Sequence, residues 1–487
     1  MADPTRLGPP GLCRGMSFVS FVNGCVLVLL AAMTGCVAAI YPETRGVFLE
    51  ATIMLGLAGG LIALASSSQF RRLMIPHTFI LTASVWLTAA VGGALPLYLW
   101  GLSWVDAFFE AMSGITTTGS TVMIGLDGTP HGVLLWRAML QGLGGIGFIV
   151  TGIALLPVLK VGGMQLFRTE SSDRGEKELR NAAQFATATL FVYSGLIAIC
   201  ALLYRIGGMT VFDAVTHSMT TLSTGGYSTH DASFGSFDSP FLQWTCTGFM
   251  FLGSLPFAWF IRVLYRRRFR SEQVFAMAKT LAAVIGVLTA WLVFTTDYPL
   301  SMALRLVAFN VVSVVSTTGY ATTDYTSWGP FAITGFMILT AVGGCTGSTA
   351  GGAKAMRWLI MYRTVKQGIR SVRYPHGIQQ VRYEGQVLDE NVLSSVIGFF
   401  SMYALTFGVL AIALTMDGLD FSTAFSGALT ALANVGPGVG DVIGPAGNFE
   451  FIPDTSKLIL CAGMYLGRLE MLTVLVLMTP RFWRSMA

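Results

Sequence analysis

The sequence predicts an all-α polytopic membrane protein. Four span–pore-loop–span repeats stand in a pseudo-fourfold arrangement, preceded by an N-terminal pair of transmembrane helices. Three observations carry this. The chain of 487 residues is 53% hydrophobic and only 11% charged, with a mean hydropathy of +0.66, whereas soluble domains carry about 25% charged residues. Long apolar runs alternate with runs too short to cross a bilayer, which takes roughly 20 residues. A small polar stretch then recurs after each short run: Thr116–Ser120, Leu222–Gly226, Ser316–Tyr320 and Asn434–Gly438. A recurrence roughly every hundred residues, always at the same place in the apolar pattern, is an internal repeat.

In chain order, residues 1–70 hold two spans, about Met16–Ile40 and Val47–Ser66, with no small polar stretch attached. The first reads as a span and not as a cleavable signal peptide, because it is too long. Residues 71–165 form repeat 1: a span at about His77–Leu99, a short helix Trp104–Ile115, the loop near 116–120 and a span from His131 to Leu159. Residues 166–272 form repeat 2, with Ala182–Leu203, the short helix Val211–Leu222, its loop near 222–227 and the span Phe241–Tyr265. Residues 273–388 form repeat 3, with Val274–Phe294, Leu300–Val315, its loop near 316–320 and an interrupted second span. Residues 389–487 form repeat 4, with Val392–Thr415, Phe421–Ala433, its loop near 434–438 and Ser456–Thr479.

The charge pattern supports ten crossings. Arg6 and Arg14, Arg71 and Arg72, the basic residues of 160–180, 262–270 and 354–382, and Arg481 with Arg484 all fall on one side. The positive-inside rule makes that side, and both termini, cytoplasmic. The net charge of +5 therefore sets orientation in the lipid bilayer and does not imply nucleic acid. The seven cysteines form no CxxC pair and read as small core residues, not as a disulfide framework or a zinc site.

The recurring stretch has a chemical use. A dehydrated cation needs a ring of oxygens, and backbone carbonyls supply one where the chain is extended and turned inward. Glycine permits the unusual dihedrals and the close approach, and small Thr and Ser side chains leave the pore open. Two motifs are decoys. Gly142–Gly147 matches GxGxxG but lies inside an apolar span, without the strand–helix context of a dinucleotide site, and reads as a packing face. Gly347–Lys354 approaches a phosphate loop, but Ala353 stands where that motif needs Lys. No nucleophile–base or metal set can be assembled for an enzyme. An ion-coupled secondary transporter would want mid-membrane acids in paired inverted repeats; these repeats are parallel and have few such acids.

The span–loop–span repeats, the four small polar stretches, the extra N-terminal helix pair and the interrupted third repeat resemble the Trk/Ktr/HKT superfamily of potassium transport proteins, in particular the bacterial TrkH-type subunit. The resemblance covers nearly the whole chain. It implies that each repeat gives one glycine to a selectivity filter, here Gly119, Gly225, Gly319 and Gly436, and that four glycines favour potassium over sodium. It also implies ion coordination by the carbonyls of Thr117, Thr118, Ser223, Thr224, Thr317, Thr318, Asn434 and Val435. The fourth stretch departs from the others with Asn-Val and Pro437, so fourfold equivalence is not strict. The resemblance further implies potassium uptake across a bacterial inner membrane, no cofactor, a homodimer with one pore per chain, and a cytosolic TrkA-type nucleotide-binding gating ring.

Two features lie below the filter. Val342–Ala353 is rich in glycine, which disfavours helix by about 1 kcal/mol per residue, and unwound backbone at membrane depth must line water or protein. Gly343, Gly344, Thr346, Gly347, Ser348, Thr349, Gly351 and Gly352 are therefore candidate gate residues. Arg468, with Glu470 two residues on, is a charge inside the last span, and such charges usually face a pore or a partner. The resemblance places an arginine of this helix in the pore. Lys279 snorkels to the basic side; Arg137 and Arg305 carry no assigned role. Asp106, Glu110, Asp213 and Asp420 sit at the short helices, where acids concentrate cations or, for the three aspartates, cap helices.

Overall fold

The computed structural model describes residues 12–67, 75–155, 182–375 and 380–484. Arg6, Arg71, Arg72 and the basic run 160–180 lie outside them. The first pair is α1 (Leu12–Ile40) and α2 (Arg45–Ser66). They pack at backbone distance, since a Cβ on Gly59 would lie 2.8 Å from the carbonyl of Gly24, the close small-residue packing of membrane helices. Repeat 1 comprises α3 (Ile75–Trp100), α4 (Trp104–Ile115) and α5 (His131–Leu155). Repeat 2 comprises α6 (Ala182–Ile206), α7 (Val211–Leu222), α8 (Pro240–Gly253) and α9 (Phe257–Arg266). Repeat 3 comprises α10 (Glu272–Thr295), α11 (Leu300–Val315), α12 (Pro330–Thr340) and α13 (Ala355–Arg373). A two-stranded antiparallel hairpin, Arg382–Tyr383 with Gln386–Val387, leads to repeat 4. That repeat holds α14 (Glu390–Met416), α15 (Phe421–Ala433), α16 (Asp454–Arg468) and α17 (Leu472–Leu477), followed by α18 (Pro480–Arg484).

The four short helices begin and end where the sequence places them. α4 and α7 start with hydroxyl caps: Ser103 Oγ accepts from Asp106 N at 3.1 Å and Thr210 Oγ1 from Asp213 N at 3.0 Å, and each hydroxyl donates to the same aspartate's carboxylate. Asp420 caps α15, accepting from Thr423 N at 3.1 Å. The cap role therefore holds for Asp420 and not for Asp106 and Asp213, whose helices are capped by Ser103 and Thr210. Asp420 is the cap itself, and Asp106 and Asp213 are the third residues of helices capped by a hydroxyl.

Six described helices are long and apolar enough to cross a membrane unbroken. The sequence reads the last spans of repeats 2 and 4 as continuous, and both are broken. α8 and α9 meet at 93° at Pro256, which has no N–H to continue the ladder; Phe257 N donates instead to Gly347 O at 3.0 Å. In repeat 4 the chain turns at Glu470 and Met471, with φ of 57° and 39°. The kinked repeat 2 span and the interrupted repeat 3 span therefore meet at the Gly-rich loop. One apolar core lies largely between repeats 2 and 3, a second between repeats 1 and 4, and a third joins α1 and α2 to repeat 1.

Candidate functional site

Every short helix stops in the same way. Thr117, Thr224, Thr317 and Asn434 adopt φ of 53°, 54°, 58° and 54°. The next amide then bonds back: Thr118 N to Ser113 O (2.8 Å), Gly225 N to Thr220 O (2.9 Å), Thr318 N to Ser313 O (2.9 Å) and Val435 N to Thr430 O (3.1 Å). A left-handed threonine is a conformational outlier, costing on the order of 1–3 kcal/mol and typical of functional sites. Three in equivalent positions, with Asn as the fourth, mark a built feature. Left-handed glycines follow at Gly119, Gly226, Gly319 and Gly436.

In repeat 2 the left-handed glycine is Gly226 and not Gly225: Thr224, Gly225 and Gly226 match Thr117, Thr118 and Gly119 in backbone register, and Ser223 is the helix C-cap. Tyr227 follows Gly226 as Tyr320 follows Gly319, and that pairing carried the register in the sequence.

The four stretches close a ring. A Cβ on Gly119 would overlap the carbonyl oxygen of Gly225, one on Gly226 that of Thr318, and one on Gly319 that of Val435. One on Gly436 would sit 2.9 Å from that of Thr118. Each glycine therefore faces a carbonyl of the next repeat, and the fourth returns to the first. The outlying fourth stretch keeps this geometry. Asn434 Nδ2 bonds Thr118 Oγ1 and Met464 O, both at 2.9 Å, and Ser120 Oγ donates to Gly436 O at 2.9 Å.

Behind the ring lies a buried polar network that the sequence did not assign. Arg137 Nε meets Glu110 Oε1 at 2.7 Å, and their side chains are 1% and 0% exposed. Glu110 is thus no mouth carboxylate. It also accepts from Val122 N at 3.0 Å. Arg137 donates to Ser228 O at 3.0 Å and to Thr121 Oγ1 at 3.1 Å, and lies 4.2 Å from the centroid of the Tyr227 ring. Arg137→Leu leaves Glu110 buried and uncompensated, so it is expected to cost about 3–5 kcal/mol, read as a fall in the thermal unfolding midpoint of the detergent-purified protein. Two further pairs lie outside this network: Asp106 with the buried Lys457 at 2.6 Å and Asp127 with His230 Nδ1 at 2.5 Å. The hydrogen bond from His230 holds the Asp127 carboxyl below its ordinary range.

The Gly-rich segment packs against the inner side of the ring. Gly343 and Gly352 face each other, and Gly344 O accepts from Ala355 N at 2.8 Å. Thr346 N donates to Gln273 Oε1 at 3.1 Å and Ser348 Oγ to Cys345 O at 2.7 Å. Thr349 Oγ1 lies 3.0 Å from both Leu222 O and Gly253 O. Gly351 N donates to Thr317 Oγ1 at 2.7 Å and Gly352 N to Ala433 O at 2.8 Å. The loop so reaches the ends of three short helices. Arg468 ties it to the first repeat, donating to Thr349 O at 2.9 Å and to Gly144 O at 3.2 Å. Glu470 is not its partner, since it pairs with Arg357 at 2.7 Å. Lys354, overlooked in the sequence, is buried beside them and donates to Ala350 O. The space bounded by Gly351, Lys354, Asn434 and Arg468 is ≈ 10 Å³, about one water molecule. Gly144 and Gly145 of the GxGxxG decoy press on Ile115 O and on Ser223, as a packing face does.

Four glycines facing four carbonyls, with an unwound intramembrane loop beneath, define a channel-like cation transport protein. The TrkH family, described as cation transport protein, matches residues 45–296 and 274–485, and the chain belongs to it. It is 48% identical over 413 residues to the Trk system potassium uptake protein TrkI of Halomonas elongata, covering 84% of each chain. It is 34% identical over 483 residues to the Trk system potassium uptake protein TrkH of Escherichia coli K12, covering 96% of this chain and 99% of that one. The crystal structure of the potassium transporter TrkH from Vibrio parahaemolyticus superposes with a TM-score of 0.87 at 30% identity, over 96% of this chain and 100% of that one.

Proposed function

We propose that this chain carries potassium into the cell through its own pore. The observation that carries this reading is the closed ring of left-handed glycines and neighbouring carbonyls. A ring of carbonyl dipoles replaces the hydration shell of a potassium ion, and relatives aligned over most of the chain are named for potassium uptake. The coordinating carbonyls belong to Thr117, Thr118, Thr224, Gly225, Thr317, Thr318, Asn434 and Val435, with Gly119, Gly226, Gly319 and Gly436 at the point of closest approach. The ion then meets the loop 342–353. Arg468 and Lys354 add positive charge there, so the loop is both plug and electrostatic barrier until it moves. The ten-crossing topology in a bacterial inner membrane, cytoplasmic termini, the homodimer and control by a cytosolic TrkA-type ring are part of this reading. They rest on the charge pattern and the resemblance.

The test is flux of K⁺, Rb⁺, Na⁺ and Li⁺ into liposomes holding the purified protein. Potassium and rubidium are expected to pass, with sodium and lithium poorly accepted. Equal entry of all four would overturn the filter.

A further inference from the structure

In three repeats the residue before the filter glycine is β-branched: Thr118, Thr318 and Val435. In repeat 2 it is Gly225, and its φ is not in the left-handed range. Backbone conformation therefore does not call for glycine here. What does is Gln141, a side chain of α5 in repeat 1, because a Cβ on Gly225 would overlap its amide. Gln141 Nε2 donates to Gly225 O at 2.6 Å, and its Oε1 accepts from Tyr227 N at 3.0 Å. The partners fix the amide's orientation, since a carbonyl only accepts and a backbone N–H only donates. One turn earlier on the same helix, Arg137 donates to Ser228 O. One face of α5 thus holds the filter strand of repeat 2 from 225 to 228.

The arrangement is confined to one quarter among those that can be aligned. Gly144 packs on Ile115 O, Gly253 on Leu222 O and Gly467 on Leu432 O, each two residues before the left-handed residue of its repeat, which sets the three helices in register. Three residues before each glycine stand Gln141, Met250 and Met464; seven before stand Arg137, Cys246 and Leu460. Only repeat 1 supplies polar groups.

We infer that Gln141 is a positioning residue that sets the potassium-over-sodium preference of the filter by clamping the Gly225 carbonyl. This rests on the potassium-pore reading. The clamp acts in two ways. It keeps the second quarter from closing in on a smaller ion. It also draws electron density from the Gly225 carbonyl, and the field strength of the coordinating dipoles is one basis of K⁺/Na⁺ discrimination; a weaker field disfavours the smaller ion. A hydrogen bond is worth about 1 kcal/mol net, and 1.4 kcal/mol is tenfold.

The test is Gln141→Met, which installs the residue that repeats 2 and 4 use, measured for rubidium and sodium influx in liposomes beside wild type and Met250→Leu. The expected result is a Rb⁺/Na⁺ ratio about 5- to 10-fold lower in Gln141→Met, with rubidium influx largely kept and Met250→Leu unchanged. A ratio equal to wild type overturns the clamp, including the case in which both fluxes fall together as a merely structural defect would cause. Should Gln141→Met elute as aggregate, Gln141→Asn, which keeps the amide but shortens its reach by one methylene, carries the same comparison. A wild type that passes sodium as well as rubidium overturns the potassium-selective filter on which the clamp rests, so the two failures are distinct.

Discussion

Gly119→Ser is expected to lower the potassium-to-sodium flux ratio by roughly tenfold or more, with sodium influx rising in absolute terms. Gly119 has a φ of 90°, which disfavours any residue with a Cβ by about 1–2 kcal/mol. A Cβ there would also overlap the Gly225 carbonyl oxygen. That oxygen must shift, and it belongs to the next quarter of the ring, so the lesion crosses from repeat 1 to repeat 2. A displacement worth 1.4 kcal/mol between the two ions already gives tenfold. Gly46→Ser is the control, because a Cβ at Gly46 meets nothing within 4 Å; its ratio is expected to match wild type. The measurement is paired rubidium and sodium influx in liposomes. An unchanged ratio in Gly119→Ser, at normal yield and monodispersity, would remove Gly119 from the filter.

Much of this architecture was legible because membrane helices obey few rules. The bounds of α4, α7, α11 and α15 follow from where apolar runs start after Ser103, Thr210, Pro299 and Asp420, and stop at the small polar stretches. The Gly-rich interruption in repeat 3 was legible because glycine weakens a helix wherever it clusters. The breaks at Pro256 and at Glu470–Met471 were not. A lone proline in an apolar run is tolerated in membrane helices when neighbours satisfy the freed groups, and only the tertiary partner, Gly347 O, decides the outcome. Glu470 turns away from the adjacent Arg468 to meet Arg357, 113 positions earlier, and no local pattern announces that. The register of repeat 2 has the same origin. Gly225 and Gly226 are indistinguishable by composition; in the fold Gly226 takes the left-handed position two residues after Thr224, and Gly225 lies against Gln141. The site's most specific side-chain contacts, Arg137 to Glu110 and Gln141 to Gly225, were the least legible, since they join distant segments through residues that read alone as stray polar groups in a span.

Shortening the loop by deleting Thr346–Ala350, or loosening it with Arg468→Gln, is expected to raise rubidium influx through the purified protein about tenfold or more, with the Rb⁺/Na⁺ ratio kept. The loop blocks by occupancy: it packs against the ends of three short helices, and the space left between Gly351, Lys354, Asn434 and Arg468 is ≈ 10 Å³. Its stretch from Thr349 to Gly352 is held there by a short set of bonds. Thr349 Oγ1 bonds the ends of α7 and α8, Gly351 N bonds Thr317 Oγ1, Gly352 N bonds Ala433 O, and Arg468 bonds Thr349 O. A hydrogen bond from a charged donor contributes about 1.5–3 kcal/mol, so losing it multiplies the population of the displaced loop by roughly 10 to 100. Arg468→Gln also removes a positive charge from the path, which acts in the same direction. The unchanged ratio is the sharper half of the prediction. Among the described residues the loop meets the ring through side chains and helix ends, at Thr224 Oγ1, Thr317 Oγ1, Leu222 O and Ala433 O, and not through the carbonyls assigned to the ion, so a freed loop is expected to change how often ions pass and not which ions pass. Raised sodium influx in step with rubidium would mean that the loop supports the filter's shape. Unchanged rubidium influx in both variants would place the barrier elsewhere on the pathway.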